Sequence, residues 1–296
     1  MKTPAFEQNL KLGPVNVGGT NPVRIMGIVN TSPESFYKKS IKKGKEIAHA
    51  VQQMEQDGAD FIDVGAMSTA PYLTTIISEK QEIKRITDAI RQIQNATNLP
   101  ISVDTCRAGV AKAALDLGAD IINDVTGLKY DKEMITIIAK NQPSLVLCAY
   151  SKKPLRGNLI AQTKLLLKES ILLAESAGIP TRKIVLDPAI GFFRKTGKNP
   201  FYTKINSDWY ERDLEVLQNL QSMKLNFPIL VSVSNKSFIG KILDRKDPAD
   251  RIFGSIAAEV ISVMYGADII RTHNVRQTKD AITIAEKFSR RFKKGL

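Results

Sequence analysis

The chain has 296 residues, of which 43% are hydrophobic and 25% charged, a balance typical of a globular protein with a large core. It contains no run of about 18 apolar residues, and its first residues lack the apolar segment of a secretory signal. The two cysteines, Cys106 and Cys148, are too few for a disulfide framework, and two histidines exclude a zinc site built on several histidines. We therefore expect a cytoplasmic protein with no membrane span and with both cysteines buried and reduced.

The net charge of +13 indicates attraction to anions, and basic residues concentrate in three runs at 38–45, 194–198 and 289–294. The first two runs fall in predicted loops, where lysines either face solvent or contact a phosphate group. The sequence shows no finger and no basic motif interleaved with aromatic residues. The charge therefore favours a small anionic ligand over a nucleic-acid partner.

Eight short apolar runs, rich in β-branched residues, alternate with amphipathic segments along the chain. Their nearly continuous apolarity is typical of parallel strands that are covered on both faces. These predicted strands lie at 24–30, 61–66, 100–105, 121–126, 144–150, 184–190, 228–234 and 269–274. The predicted helices lie at 44–58, 131–141, 159–177, 209–224 and 276–291, with further apolar residues at helical spacing in 83–93, 110–117 and 256–263.

This alternation predicts one (β/α)8 TIM barrel, an α/β fold, formed by a single domain over residues 1–296. The rival is an open doubly wound sheet, but the glycine-rich turn that such a sheet usually has after its first strand is missing here. An internal repeat supports the barrel, because Gly-Ala-Asp occurs at 58–60, 118–120 and 266–268, each time directly before a predicted strand. We predict that each of these glycines ends a helix in the left-handed conformation.

Polar residues stand at the carboxyl ends of nearly all the predicted strands. They are Asn30, Asp63, Asp104, Asn123, Asp124, Asp187, Ser234, Asn235, Lys236, Arg271 and His273. In a (β/α)8 barrel these ends meet at one mouth, and a charge inside a β-run is costly unless it is paired or used. The pattern therefore predicts a small-molecule site at the mouth.

Two carboxylates of this set, Asp104 and Asp187, accompany the amide of Asn123 and the ammonium of Lys236. A carboxylate accepts two parallel N–H bonds, and an amide both donates and accepts. The combination therefore suits the edge of a flat ring that is rich in N–H donors and carbonyl acceptors.

Arg271, His273 and Asn30 form a second, separate group, which suits an anion such as phosphate. Asn30, together with Thr31, also fits a Mg²⁺ ion that keeps most of its waters and binds substrate phosphates. Residues 234–237 open a predicted helix, whose backbone N–H groups can receive an anion. Since His273 has no evident Ser or Cys partner in the sequence, we expect no nucleophilic triad.

Six sequence segments resemble successive motifs of the dihydropteroate synthases, within the wider pterin-binding superfamily. They are MGIVNTSPESF (26–36), FIDVGAMSTAP (61–71), ISVDTCRAGVAKAALDLGADIINDV (101–125), LDPAIGF (186–192), SNKSFIG (234–240) and RTHNV (271–275). The resemblance covers about residues 24–290, with the motifs in the family's order. It implies a transferase that condenses (7,8-dihydropterin-6-yl)methyl diphosphate with 4-aminobenzoate and releases diphosphate, in folate biosynthesis.

The resemblance also implies roles for ten residues. The pterin ring would be bound by Asp104, Asn123, Asp187 and Lys236. The diphosphate would be held by Asn30, Thr69, Arg271 and His273, with Mg²⁺ as the cofactor at Asn30. The carboxylate of 4-aminobenzoate would contact Ser237, and Phe192 would form an apolar wall beside its ring. The family further implies a homodimer that works on small molecules, without nucleic acid or a membrane.

The sequence departs from the family's usual motifs around the second substrate and the leaving group. Met67 and Ala70 replace an acid and an arginine after the second strand, and Asn235 replaces an arginine after the seventh. The other departures are Glu34, Cys148, Ala149, Tyr150, Ala189 and Asn274. Because the pterin residues are intact, these changes bear on the acceptor more than on the pterin.

Two alternatives to 4-aminobenzoate chemistry therefore stay open. In the first, the acceptor is a ribosylated aminobenzene phosphate, as in methanopterin-type pathways, and the additional lysines bind its phosphate. In the second, the protein is a pterin-dependent methyltransferase. The presence of Arg271 and His273, which the resemblance assigns to diphosphate, argues against methyl transfer.

Overall fold

A hairpin at the start of the described chain closes one end of a barrel. The structure, a computed structural model, describes residues 10–32 and 44–288. Strands β1 (Lys11–Leu12) and β2 (Val15–Asn16) pair antiparallel across a turn at Gly13. The side chains of Leu12 and Val17 pack against apolar residues from the barrel strands, namely Met26, Phe61, Ile121, Val146, Val185, Leu230 and Ile269. The sequence analysis did not predict this hairpin.

Eight parallel strands follow among the described residues and form one sheet. They are β3 (Arg24–Asn30), β4 (Phe61–Gly65), β5 (Ile101–Asp104), β6 (Ile121–Asp124), β7 (Ser144–Cys148), β8 (Ile184–Asp187), β11 (Leu230–Val231) and β12 (Ile269–Thr272), while β9 (Phe193–Arg194) and β10 (Thr203–Lys204) pair outside it. The strand order is β11-β12-β3-β4-β5-β6-β7-β8, and the sheet closes where Leu186 pairs with Ile229. The predicted TIM barrel is confirmed, and the closure excludes the open doubly wound sheet.

The barrel strands are buried on both faces, as their apolar runs predict. All five residues of β4 and all four of β8 are buried. The segment predicted as a strand at 228–234 differs, because regular pairing is confined to Leu230–Val231. The chain then leaves the sheet, and Ser232 and Ser234 line the pocket described below.

Helices cover the outside of the sheet and connect its strands. They are α1 (Lys45–Gln56), α2 (Glu79–Gln94), α3 (Ala108–Asp116), α4 (Met134–Asn141), α5 (Leu159–Ser176), α6 (Trp209–Gln218), α7 (Leu220–Met223), α8 (Ser237–Leu243), α9 (Ile252–Met264) and α10 (Val275–Phe288). Side-chain oxygens of Ser78, Asn158 and Asp208 accept first-turn amides of α2, α5 and α6. The predicted helix at 209–224 is broken at Asn219, whose side chain donates to the carbonyl of Glu215 and ends α6 there.

The Gly-Ala-Asp repeat lies at the end of the barrel opposite its mouth. As predicted, each glycine follows a helix in the left-handed region, with φ of 92° at Gly58, 88° at Gly118 and 106° at Gly266. The structure adds a role for each aspartate, whose carboxylate accepts a backbone N–H of a neighbouring segment of the barrel. The pairs are Asp60 with Ile25, Asp120 with Ile101 and Asp268 with Ile229, at 2.8 to 2.9 Å. The repeat therefore ties adjacent strands together at this end.

The structure also answers several smaller expectations. Both cysteines are free and buried, as expected. Over the described residues, the structure contains no helix with the length and apolar character that crossing a membrane requires. The basic run at 289–294, the residue Glu34 and most of the run at 38–45, apart from Gly44 and Lys45, lie outside the described residues.

Candidate active site

The carboxyl ends of the barrel strands surround one pocket, and the ten residues assigned to substrates all line it. They are Asn30, Thr69, Asp104, Asn123, Asp187, Phe192, Lys236, Ser237, Arg271 and His273. Half of them belong to barrel strands, so the sheet fixes the positions of their backbones. The others lie in segments that follow the strands. Their individual roles toward a substrate stay predictions.

The floor of the pocket is a network of buried charges around Arg271. Its Nε donates to Asp63 Oδ2 at 2.7 Å, and its Nη2 donates to Asp104 Oδ2 at 2.8 Å. The fully buried Asp63 also accepts Ser102 Oγ at 2.5 Å and Asn123 Nδ2 at 3.3 Å through its Oδ1. One carboxylate therefore holds two pocket side chains, Arg271 and Asn123, in place. Sequence reasoning noted Asp63 at a strand end but gave it no role, although its charge inside a β-run was the available signal.

Asp104 is the carboxylate of this network with capacity left for a ligand. Its Oδ1 is buried and has no hydrogen-bond partner among the described residues. Burial raises the pKa of Asp104 to about 7, against the opposing effect of Arg271, and the nearby Asp63 raises it further. Burial alone would lower the pKa of Arg271, but the two carboxylates raise it, so the guanidinium stays charged. An N–H donor entering the pocket can satisfy the free acceptor on Asp104.

Asp187 lies at the end of β8, where a strained turn orders its carboxylate. Its Oδ1 accepts the backbone N–H of Ala189 at 2.7 Å, and Ala189 has a positive φ of 60°, which is rare for a residue with a side chain. Burial raises the pKa of Asp187, while the Ala189 hydrogen bond and Lys236 oppose the rise. Such local strain is characteristic of functional sites.

Lys236 places a cation beside an aromatic wall. Its Nζ lies 4.4 Å from the centre of the Phe192 ring. Burial lowers the pKa of Lys236 to about 8 and the charge of Arg271 lowers it too, whereas Asp187 opposes the shift. The ammonium is therefore held charged near neutral pH by its acidic neighbours, and it can donate to a carbonyl or ring nitrogen of a ligand.

The structure corrects the expectation of a separate anion group. Arg271 is joined to Asp63 and Asp104, so it belongs to the same network as the ring-edge residues. The Nδ1 atom of His273 lies 3.0 Å from Ser234 Oγ, and burial with the nearby cations lowers the pKa of His273 to about 3. His273 is therefore neutral at pH 7 and offers hydrogen bonds rather than positive charge.

The far side of the pocket is built by loops and by α8. Thr69 lies in the segment after β4, and Asn199 holds that segment by donating from its Nδ2 to the carbonyl of Ala70 at 2.7 Å. Ser237 begins α8, and its Oγ accepts from Arg194 Nη2 at 3.2 Å. The prediction of a loop at 194–198 is wrong for Arg194, which is buried in β9.

Three polar residues of the set at the strand ends, Asp63, Asp124 and Asn235, do not line the pocket. Asp63 binds the pocket side chains Arg271 and Asn123, whereas the other two have different contacts. The carboxylate of Asp124 accepts the backbone N–H groups of Thr126 at 2.7 Å and Leu128 at 2.9 Å, so it shapes a turn. Asn235 has a φ of 58°, and its backbone N–H donates to Ser255 Oγ at 2.9 Å. The expectation that these polar residues meet at one mouth is therefore wrong for Asp124 and Asn235, although Asn123, Ser234 and Lys236 from the same strand ends line the pocket.

A closed parallel barrel with a buried, charged pocket at the carboxyl ends of its strands defines a TIM-barrel enzyme. The family profile described as "Pterin binding enzyme" matches residues 26–273. A curated dihydropteroate synthase of Clostridium beijerinckii is 37% identical over 270 residues, covering 90% of this chain and 94% of that protein. The dihydropteroate synthase of Synechocystis is 34% identical over 271 residues, covering 88% and 89%. The chain therefore belongs to the dihydropteroate synthase family of pterin-binding enzymes.

Solved structures agree with this assignment. The dihydropteroate synthase of Clostridium difficile, crystallised in the presence of pteroic acid, is 32% identical with a TM-score of 0.79, covering 92% of this chain and 98% of that one. That of Xanthomonas albilineans with 4-aminobenzoic acid is 30% identical with a TM-score of 0.79, covering 91% and 94%. That of Yersinia pestis with a sulfonamide drug complex is 28% identical with a TM-score of 0.82, covering 95% and 99%.

Proposed function

We propose that the protein condenses (7,8-dihydropterin-6-yl)methyl diphosphate with 4-aminobenzoate and releases diphosphate, as a dihydropteroate synthase. The observation that carries the proposal is the floor of the pocket, where two buried carboxylates, Asp104 and Asp187, accompany Asn123 and Lys236. The names of the curated relatives and the ligands of the solved structures support the same reaction.

The pterin ring fits the floor by its pattern of donors and acceptors. One edge of the ring carries N–H groups, which suit the acceptor left on Asp104 and the carboxylate of Asp187. A carbonyl and ring nitrogens on the other edges suit the donors of Asn123 and Lys236. Buried carboxylates beside the ring also stabilise positive charge that develops on it.

In the reaction, the bond between the pterin methylene carbon and the diphosphate oxygen breaks, and the electron pair leaves with diphosphate. The positive charge on the methylene carbon delocalises into the pterin ring, close to Asp104 and Asp187. The amine nitrogen of 4-aminobenzoate then forms the new C–N bond and releases one proton. The pathway requires no protein nucleophile, although Ser234 Oγ lies 3.0 Å from Nδ1 of His273, a serine partner that the sequence did not predict.

Mg²⁺ fits this site as an ion that arrives with the diphosphate. Among the described residues, no group of three His, Cys, Asp or Glu side chains could hold a metal ion. Asn30 offers an amide oxygen at the end of β3, and an ion bound mainly by phosphate and water needs few protein ligands. When bound, Mg²⁺ offsets the charge of the leaving diphosphate. The diphosphate contacts of Asn30, Thr69, Arg271 and His273 belong to the same proposal.

The acceptor lies toward Phe192 and Ser237 in this proposal. The ring of Phe192 lines the pocket and packs under the ammonium of Lys236, so it provides an apolar surface for the benzene ring. The hydroxyl of Ser237 provides a hydrogen bond for the carboxylate.

The homodimer and the cytoplasmic location stay predictions, which size-exclusion chromatography and cell fractionation would test.

The deciding experiment supplies the purified protein with the pterin diphosphate, Mg²⁺ and one acceptor at a time, and reads the product by mass spectrometry. We expect 7,8-dihydropteroate and diphosphate with 4-aminobenzoate. If the protein prefers a ribosylated aminobenzene phosphate, the proposed reaction stands but the proposed acceptor is wrong. Absence of any condensation product, together with methyl transfer from a methylated pterin, would contradict the proposal.

A further inference from the structure

A buried guanidinium stands behind Ser237 at the acceptor side of the pocket. Arg194 is 8% exposed, and its Nη2 donates to Ser237 Oγ at 3.2 Å. Its Nη1 donates to the carbonyl of Phe193 at 2.9 Å, and its guanidinium carbon lies 3.9 Å from the centre of the Trp209 ring. Hydrogen bonds in the guanidinium plane and an aromatic ring against its face fix the group in one orientation.

The direction of this hydrogen bond leaves the proton of Ser237 available. A serine hydroxyl has one proton to donate and two lone pairs that accept, whereas arginine only donates. Ser237 is therefore the acceptor in its contact with Arg194 and keeps its own proton for another partner. Ser237 lines the pocket, so a ligand can receive that proton in a hydrogen bond. The guanidinium behind the hydroxyl polarises it and strengthens its donation to an anion.

The charges behind Ser237 do not cancel. The fully buried Asp213 lies 3.1 Å from Arg212 and 3.7 Å from Arg194, measured between carboxylate oxygen and guanidinium nitrogen. One carboxylate thus faces two guanidinium groups, which leaves one positive charge in excess. Arg212 donates to the carbonyls of Pro188 and Ala189 as well as to Asp213, whereas Arg194 is the guanidinium that donates to Ser237. The excess charge therefore acts on the pocket through Arg194, in surroundings where water screens it weakly.

We propose that Arg194 is a positioning residue that orients the Ser237 hydroxyl and supplies positive charge for the carboxylate of the arylamine. The site then prefers a carboxylated arylamine to a neutral one of the same shape. This inference rests on the proposed function, and it names the part of the protein that selects the acceptor. It also gives a role to a buried basic residue that the sequence placed in a loop.

The test compares two acceptors that differ by one charge, 4-aminobenzoate and 4-aminobenzamide, with saturating pterin diphosphate and Mg²⁺. The full-length variant Arg194→Gln removes the charge, Arg194→Lys keeps it, and Lys195→Gln removes the charge of the next, exposed residue as a matched control. We expect Arg194→Gln to raise KM for 4-aminobenzoate by about 10- to 100-fold, the range of a charge-assisted hydrogen bond. The kcat/KM of Arg194→Gln for 4-aminobenzamide should stay within about twofold of wild type. Lys195→Gln should leave the kinetic constants for both acceptors unchanged.

Two further measurements separate a positioning role from a structural one. The Kd for the pterin diphosphate should be the same in wild type and in Arg194→Gln, and Arg194→Lys should recover part of the preference for the carboxylate. The double variant Arg194→Gln with Ser237→Ala should lose little more than either single variant, because both changes remove one interaction. If Arg194→Gln unfolds, the comparison of Arg194→Lys with Lys195→Gln carries the test.

The outcomes distinguish this inference from the proposed function. An active wild type whose acceptor preference does not change in Arg194→Gln contradicts the role of Arg194 alone. Equal impairment of both acceptors in Arg194→Gln also contradicts that role, since the residue would then act only on the shape of the pocket. A folded wild type that forms no product from 4-aminobenzoate contradicts the proposed function itself.

Discussion

The two halves of the pocket are built in different ways. The half proposed for the pterin consists of Asp104, Asn123 and Asp187 on the strands β5, β6 and β8, together with Lys236 just before α8. In the floor of the barrel, Asp104 is paired with Arg271 of β12. The acceptor half consists of the segment after β4, the segment after β8 and the start of the short helix α8. In this half, single hydrogen bonds such as that from Asn199 to Ala70 hold one loop against another.

The difference shows how one barrel can keep its first substrate and change its second. The network of Asp63, Arg271 and Asp104 joins three strands, so a substitution there disturbs every member of the network. In the acceptor half the contacts described here are separate hydrogen bonds between loops, so we expect the loss of one to leave the others in place. The departures at Met67 and Ala70 fall on the segment after β4, whereas the departure at Cys148 lies at the end of the barrel strand β7 and also lines the pocket.

The largest effect is expected from Asp104→Asn. The variant removes the negative charge that the proposal places against the N–H edge of the pterin and replaces one carboxylate oxygen by an NH2 donor, a loss of ~3 kcal/mol or more for a charged partner. Affinity for the pterin diphosphate should fall by more than about 100-fold in calorimetry. Unfolding should stay cooperative, and unchanged affinity would remove Asp104 from the pterin half.

The second-largest effect is expected from Asp63→Asn, because this variant breaks the buried ion pair between Asp63 and Arg271. We expect kcat/KM for the pterin diphosphate to fall by about 10- to 100-fold and the melting temperature to fall as well. Asp124→Asn is the matched control, since Asp124 is equally buried but serves a turn outside the pocket. That control should lose stability and keep kcat/KM. Equal kinetic losses in both variants would mean that Asp63 acts on stability only.

A smaller effect is expected from acid pH, which should weaken pterin binding through the protonation of Asp104. Because the pKa of Asp104 is raised to about 7, its carboxyl is half protonated at that pH, and the charged acceptor is progressively lost as the pH falls further. The affinity for 6-hydroxymethyl-7,8-dihydropterin, which carries no titrating phosphate, should therefore fall as the pH drops, by at most about tenfold per pH unit for one proton. Calorimetry between pH 5 and 8 would show this, and a flat profile would contradict it.

The smallest effect is expected from Asn199→Ala in the acceptor half. The variant frees the segment after β4 from a hydrogen bond worth ~1 kcal/mol, so KM for 4-aminobenzoate should rise by about three- to tenfold. Pterin affinity should not change. Asn21→Ala is the control, because the side chain of Asn21 also donates to a backbone carbonyl, that of Gly18, near the opposite end of the barrel. This control should change neither the KM for 4-aminobenzoate nor the pterin affinity. A loss of pterin affinity in Asn199→Ala would show that the halves are coupled.

The sequence predicts the elements of the barrel and the ten pocket residues better than it predicts their partners. Continuous apolar runs identify doubly covered strands, and polar residues at their ends identify the mouth. The contact between Asp63 and Arg271 joins residues 208 positions apart on strands that are not neighbours in the sheet. Only the closure and register of the barrel bring them together, and no local pattern in the sequence carries that information.

Arg194 illustrates a second kind of failure. In the sequence it is one basic residue among several at 194–198, and basic runs are usually exposed. Its burial depends on Trp209 and Asp213, which both lie in α6, beyond a connecting segment of the chain. Similarly, the break at Asn219 depends on a side-chain hydrogen bond that competes with the helix, which periodicity does not register.

The hairpin of β1 and β2 has a consequence for the order in which the molecule is assembled. Leu12 and Val17 pack against side chains that extend from Met26 to Ile269, so their binding surface is complete only when the final strand has joined the barrel. Contacts between such distant segments form slowly, because a long chain must first be brought together. We therefore expect the earliest described part of the chain to be among the last segments to pack, after the eight barrel strands have assembled.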